Sequence, residues 1–260
     1  MSTSHREAGG GIPSIGALFS ETLTDVMNNI VGYLMMGLAL MAVAIPVGIF
    51  ASIVSLIVLY GVMGVGVFAS LAGGAAMQEA TGDEDLGGMV GALGSMGSIA
   101  VAFLLFFAFL LFLAAAMAPL SASLYRAIAA HQRGEGTLTF GAAFSTITQD
   151  IGATMGTVLL VTICTLVGVM FCYVGAIVPA ALFTFALPMV ALHRKGALES
   201  MRLCAGHAMA HPSEHGLFIL AYFGTSLVAG YIPLFGHVFV LALAVRAYRK
   251  MFGDGPEPAL

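Results

Sequence analysis

The residues from 193 to 216, HRKGALESMRLCAGHAMAHPSEHG, hold four of the chain's seven histidines, three of its nine lysines and arginines, and two of its thirteen carboxylates. His207, His211 and His215 recur every fourth residue, so on one unbroken helix their imidazoles would share a face, as metal-ligating histidines do. Pro212 falls inside that repeat, and proline both removes a backbone donor and breaks helical register. Glu214 is the only acid beside the three rings. They are therefore weak metal candidates, and no cofactor is expected. The alternative is a solvated connector, with Leu198, Met201, Ala205 and Met209 on an apolar face and Glu199, Arg202 and His207 on a wet one. Glu199 and Arg202, three residues apart, would pair there for about 0.2–0.5 kcal/mol.

Two other places could support acid–base chemistry. Asp150 and His131 flank GEGTLTFGAAFSTITQD, where Phe140, Phe144, Ile147 and Ile151 recur at helical spacing beside Ser145, Thr148, Gln149 and Asp150. The simpler reading is a second amphipathic helix at an interface, with Asp150 marking the mouth of the next apolar run. His237 follows the Tyr231–Gly236 break and is the one strongly titrating group inside an apolar run. A proton pump would be expected to carry carboxylates there, and none is present.

These polar segments are small islands. Hydrophobic residues make up 60% of the chain and charged residues 8%, and the mean hydropathy is +1.02, against about 25% charged in a soluble domain. Uncharged runs at 31–77, 86–125, 151–192 and 217–245 exceed the roughly 20 residues that cross about 30 Å of hydrocarbon, so the expected fold is all-α, a polytopic transmembrane helical bundle. Cys164, Cys172 and Cys204 have no CxxC spacing and read as small buried apolar residues. The first sixteen residues lack an apolar core, so no cleaved signal is expected.

Eight of the nine basic residues lie after position 125. Basic loops mark the cytoplasmic side of a membrane, which places Arg126, Arg133, Arg194, Lys195, Arg202, Arg246, Arg249 and Lys250 inside and the acidic turn Glu79–Asp85 outside. The runs at 151–192 and 217–245 each fold back, near Cys172–Gly175 and near Tyr231–Gly236. The result is about six spans in three hairpins, Tyr125–Arg126, His193–Arg194 and Tyr248–Arg249 recurring at their ends. A seventh span follows if 31–77 divides in two. Residues 1–30 form a cytoplasmic tail and an interfacial helix whose face carries Ile12, Ile15, Phe19, Leu23, Val26 and Ile30; residues 31–252 form one transmembrane domain, and 253–260 a short tail. Gly87, Gly91, Gly94 and Ser98 make a small-residue face for close helix contact, and Gly152 with Gly156 makes another.

From about 119 to 253, YRAIAAHQRGEGTLTFGAAF, HRKGALESMRLCAGHAMAH and IPLFG ahead of VRAYRKMFGD resemble bacterial inner-membrane proteins of unknown function related to the membrane domain of glycerophosphodiester phosphodiesterases. The resemblance implies six helices with cytoplasmic connectors, and the catalytic domain of those enzymes has no counterpart here. The expectation is a non-enzymatic inner-membrane protein, permease-like or a lipid-binding scaffold, whose eight basic residues meet anionic lipid headgroups. An interfacial enzyme built on 193–215 and an assembly subunit are the alternatives. Membrane lipids and a second copy or partner protein are expected to bind, and nucleic acid is not. Cysteine labelling at Gly82 and at Gly253 should report opposite sides of the membrane, and labelling at Ser2 selects six spans if internal and seven if external.

Overall fold

The computed structural model describes residues 14–171, 173–232 and 234–253, and all regular structure among them is helical. Cys172, Pro233, Arg6 and Ile12 lie outside the described residues. In chain order the helices are α1 Ile15–Asn28, α2 Ile30–Leu56, a π-helical segment Ile57–Val62, α3 Met63–Thr81, α4 Glu84–Gln132, α5 Ile151–Phe171, α6 Tyr173–Leu182, α7 Ala186–His193, α8 Ala197–Ala210, α9 Pro212–Ala229 and α10 Phe235–Phe252. Four stretches are long and apolar enough to cross a membrane: Ile30–Thr81, Glu84–Gln132, Ile151–Val169 and Gly175–His193. No turn divides the first, although Pro46 cannot donate to its helix and the π segment adds a residue per turn. Its 52 residues are more than twice the roughly 20 that cross a bilayer.

The chain forms two compact units, one of Met1–Ala42 with Ala115–Leu260 and the other of Val43–Ala114. The second is an antiparallel hairpin. Gly82 takes the left-handed conformation that ends α3, and Asp83 caps α4 by accepting from the Leu86 amide at 3.0 Å. Its helices are apolar all round, so no hydrophobic stripe selects a mating face, and small residues do so instead. A Cβ added at Gly74 would stand 2.6 Å from the Gly87 carbonyl and 3.1 Å from the Gly91 Cα, and one at Gly94 would stand 2.5 Å from the Ser70 Cβ. Gly91 itself has ordinary clearance, 3.6 Å to the Ser70 carbonyl. The Ser70 and Ser95 hydroxyls meet at 2.9 Å across the same seam.

The first unit has a conventional core. Phe185, fully buried at the start of α7, stacks on Phe218 of α9 at 5.0 Å and touches Tyr248 and Phe252 of α10 at 6.0 and 5.8 Å. Leu18, Met189, Cys204 and Leu243 close the cluster. It gathers α1, α8 and the ends of α7 and α10, where the chain is least apolar, so area burial in water can contribute here as it does in a soluble domain. α5 and α6 fold back on each other with Gly168 against the Gly175 carbonyl, and Gly37 of α2 meets the Leu234 carbonyl where Leu234 holds φ +67.

Two expected helices differ. Residues 140–150 form successive turns with i to i+3 bonds, such as Phe144 to Gly141 at 3.1 Å and Gln149 to Thr146 at 3.0 Å, instead of an amphipathic helix. Arg126 donates to two of their carbonyls, those of Thr146 and Gln149. In α8 the buried residues are Ser200, Met201, Cys204 and Ala208, while Leu198 and Met209 are exposed, and Glu199 pairs with Lys195 at 3.1 Å, not with Arg202. The buried edge of α8 is the one that Phe185 and Phe252 can reach.

Gly74→Ala should lower the melting temperature of the purified protein by the equivalent of about 1–3 kcal/mol, the cost of forcing apart a packed seam. Gly73→Ala, whose new methyl group meets nothing within 4 Å, should be neutral or stabilising by up to about 1 kcal/mol through helix propensity. Thermal unfolding in one detergent checks both.

Candidate functional site

α1 begins at Ser14, whose hydroxyl accepts from the Ala17 amide at 3.3 Å. Its buried residues are Leu18, Thr22 and Val26, one turn apart, and Thr22 satisfies its hydroxyl on the Leu18 carbonyl at 2.7 Å. The apolar face expected from spacing is turned aside, since Leu23 is 50% exposed. The rotation brings two acids, Glu21 and Asp25, against α10. Asp25 accepts from Arg246 at 2.9 Å, from Tyr33 of α2 at 2.8 Å and from Asn29 at 3.2 Å, and it lies 3.3 Å from His131 Nε2 of α4. Glu21 accepts from Lys250 at 2.6 Å and from Arg246 at 3.4 Å. The Asp25, His131 and Arg246 side chains are each more than four-fifths buried, while Lys250 and Glu21 stay partly in solvent. The hydrogen bond from Lys250 holds Glu21 below the ordinary carboxylate range, against the opposing effect of its burial.

This junction joins four helices and was not visible in any single segment. One signal was available: Glu21 and Asp25 are four apart on α1, Arg246 and Lys250 are four apart on α10, and matched i,i+4 pairs of opposite sign suit two packed helices. A cavity of about 460 Å³ opens beside it, bounded by Ser20, Thr24, Asn28, Asn29 and His131. Asp25 and His131 resemble an orienting dyad, yet among the described residues no hydroxyl or thiol is hydrogen-bonded to His131, whose other ring nitrogen is 3.3 Å from the Gly136 carbonyl. The arrangement ties α1, α2, α4 and α10 together.

The other basic residues are distributed as follows. Arg126 is internal, donating to the Ala191 carbonyl at 2.8 Å, the Thr146 carbonyl at 3.1 Å and the Asp150 carboxylate at 2.9 Å. Asp150 therefore serves Arg126 and not His131, and it holds φ +54 to do so. Arg133 pairs with Glu135 at 2.7 Å and Lys195 with Glu199. Arg194 and Arg202 are exposed, and Arg249 lines a small cleft with Glu21, Gln132, Arg246 and Lys250. Gly152 faces open space, and Gly156 approaches Ala197 of α8 with room for a methyl group, 3.6 Å from its side chain.

The histidines meet in spite of Pro212. α8 stops at Ala210, Pro212 starts α9, and the change of direction leaves the His207 and His211 rings 5.0 Å apart and His207 and His215 6.2 Å apart. His215 Nε2 donates to the Ala181 carbonyl at 2.9 Å, and His207 packs on Phe252 at 4.5 Å. Among the described residues no three His, Cys, Asp or Glu side chains are placed to hold one metal ion. Burial, with His211 and His215 alongside, lowers the pKa of His207.

On the other side of α1, Phe19 and Leu23 form one wall of a mostly apolar groove of about 420 Å³ whose other walls include Gly224, Thr225, Val228, Ile232 and Phe239 of α9, α10 and their connection. Phe19 and Phe239 face each other at 5.8 Å. The groove exists because α9 and α10 touch backbone to backbone, Gly236 lying against the Ala229 carbonyl, which leaves the flanks of that crossing unfilled. No family model, curated protein or solved structure matches the chain.

Arg246→Gln should destabilise by about 3 kcal/mol, because it leaves Asp25 largely buried without its cation. Glu21 contributes stability that is complete above its ordinary pKa of 4.5 and is lost as pH falls through the lower folded value. His207 acts earlier: below its ordinary pKa of 6.5 the unfolded chain takes up a proton that the folded chain resists, so stability falls with pH from there. Melting curves between about pH 7.5 and pH 3.5 should show both losses, the upper one reduced in His207→Phe and the lower one reduced in Glu21→Gln.

Proposed function

We propose that the chain is an integral membrane protein without catalytic activity that holds a membrane phospholipid by its acyl chain, acting as a lipid-binding scaffold or permease-like carrier. The observation that carries this reading is the groove of Phe19, Leu23, Gly224, Val228, Ile232 and Phe239. Its walls are apolar apart from Thr225, whose hydroxyl is spent on the Ala221 carbonyl at 2.6 Å, and its wall residue Val228 is exposed, as is the adjacent Leu227. A lipid tail is the apolar occupant available to such a surface in a bilayer, and an oily slot of this size suits part of one chain.

The membrane arrangement belongs to the same proposal. Four apolar stretches span, α9 and α10 add a third hairpin, and the C-terminus lies on the cytoplasmic face of a bacterial inner membrane under the positive-inside rule. Anionic headgroups then meet the exposed Arg194 and Arg202 most readily, each basic residue near the surface adding about 1 kcal/mol. Arg126 is committed to the chain's own carbonyls, and Arg246 and Lys250 reach a headgroup only in competition with Glu21 and Asp25. Association with a second copy or a partner protein fits the exposed apolar faces of Val43–Ala114.

Gly224→Trp fills the groove from a position with nothing within 4 Å of its Cβ site. In phosphatidylglycerol nanodiscs carrying a photoactivatable acyl chain, the parent protein should crosslink at Phe239 or Leu23, and Gly224→Trp should lose most of that label. Equal labelling of both proteins at those residues would remove the basis for the reading.

A further inference from the structure

The α9–α10 crossing has a second unfilled flank, on the side of α2 and α4. A cavity of about 290 Å³ lies there, lined by Leu40, Ser121, Tyr222, Ser226, His237 and Val240 among others. It differs from the acyl groove in chemistry. Four hydrogen-bonding side chains border it, Ser121 of α4, Tyr222 and Ser226 of α9 and His237 of α10, and no Asp, Glu, Lys or Arg does. Ser121, Tyr222 and Ser226 are half-buried on its walls and His237 is exposed at its edge, and a partly buried polar group is costly unless something satisfies it.

Their hydrogen-bonding capacity defines the ligand. Ser121 gives its hydroxyl hydrogen to the Met117 carbonyl at 3.2 Å and Ser226 gives its own to the Tyr222 carbonyl at 2.8 Å, so both retain only lone pairs for a guest. Among the described residues neither the Tyr222 hydroxyl nor the His237 ring has a hydrogen-bond partner. Tyr222 offers a donor and an acceptor, and a neutral imidazole offers one of each. The wall therefore mixes donors with acceptors and lacks a counter-charge. A carboxylate or phosphate would meet serine lone pairs with no cation to hold it, and an ammonium group would find no carboxylate. A hydroxyl group, which both donates and accepts, matches the wall.

We infer that this cavity binds a neutral ligand through two or more adjacent hydroxyl groups. The volume equals roughly ten waters in the liquid, enough for a molecule of a few carbons. The same chemistry has two sources, a free small polyol or the glycerol end of a neutral lipid such as a diacylglycerol. The site is separate from the acyl groove, because the Gly236–Ala229 contact stands between the two flanks.

The test uses the full chain in phosphatidylcholine nanodiscs. Saturation-transfer NMR with glycerol and with xylitol probes the free polyol, and a photoactivatable diacylglycerol probes the lipid. One of these should engage the parent protein, and Tyr222→Phe and His237→Phe, which keep the cavity's shape, should each weaken the signal about tenfold while melting as the parent does. Glycerol 3-phosphate should give a weaker signal than glycerol. Gly224→Trp, which fills only the acyl groove, should leave the signal intact, so failure of the phospholipid reading would not imitate failure here. No signal from any neutral probe, a preference for glycerol 3-phosphate, unchanged binding in both folded variants, or loss of binding in Gly224→Trp would each overturn the inference.

Discussion

The buried guanidinium of Arg126 holds the first unit in register. Its donors reach the Ala191 carbonyl at the end of α7, the Thr146 carbonyl in the turns before α5 and the Asp150 carboxylate. The turns at 140–150 and the end of α7, far apart in sequence, are thereby fixed to the last turns of α4. Ser123, one turn before, adds a 3.0 Å contact to the Thr146 hydroxyl. A planar cation with five donors suits this task, since it satisfies several main-chain acceptors that would otherwise be left orphaned away from water. The last of the turns at 140–150 are tied to it, the Thr146 and Gln149 carbonyls accepting from the guanidinium at 3.1 and 3.4 Å.

Once those segments are fixed, the aromatic core and the α1 junction follow. α7 presents Phe185 to Phe218, Tyr248 and Phe252, and α10 is then held so that Arg246 and Lys250 face α1. α1 responds by turning its acids inward, at the expense of exposing Leu23. Asp25 thereby meets four partners, Arg246, Tyr33, Asn29 and His131. The two unfilled flanks beside α9 and α10 arise from a different constraint, the backbone contact at Gly236 and Ala229, which no side chain is there to cushion.

The hairpin Val43–Ala114 obeys a simpler rule. With every face apolar, burial cannot choose an orientation, and contact is decided by where the backbone can approach most closely. Gly74, Gly87 and Gly94 supply those places, with Ser70 and Ser95 adding a hydrogen bond across the seam.

Composition alone determined that the chain is helical and carries apolar stretches long enough to span a bilayer, because hydrocarbon excludes unpaired backbone groups and the runs at 31–77, 86–125 and 151–192 are too long and too uncharged for anything else. The end of α9 at Ala229 and the restart at Phe235 were equally legible, since helix ends are set locally. Partner choice was not. Asp150 goes to Arg126 and not to His131, Glu199 goes to Lys195 and not to Arg202, and Glu21 reaches across 229 residues to Lys250. The three histidines that spacing would separate at Pro212 come together because α9 changes direction there. Sequence periodicity describes one helix at a time, whereas a charge buried between helices pairs with whatever the packing brings within about 3 Å, and that is decided only when the whole unit closes.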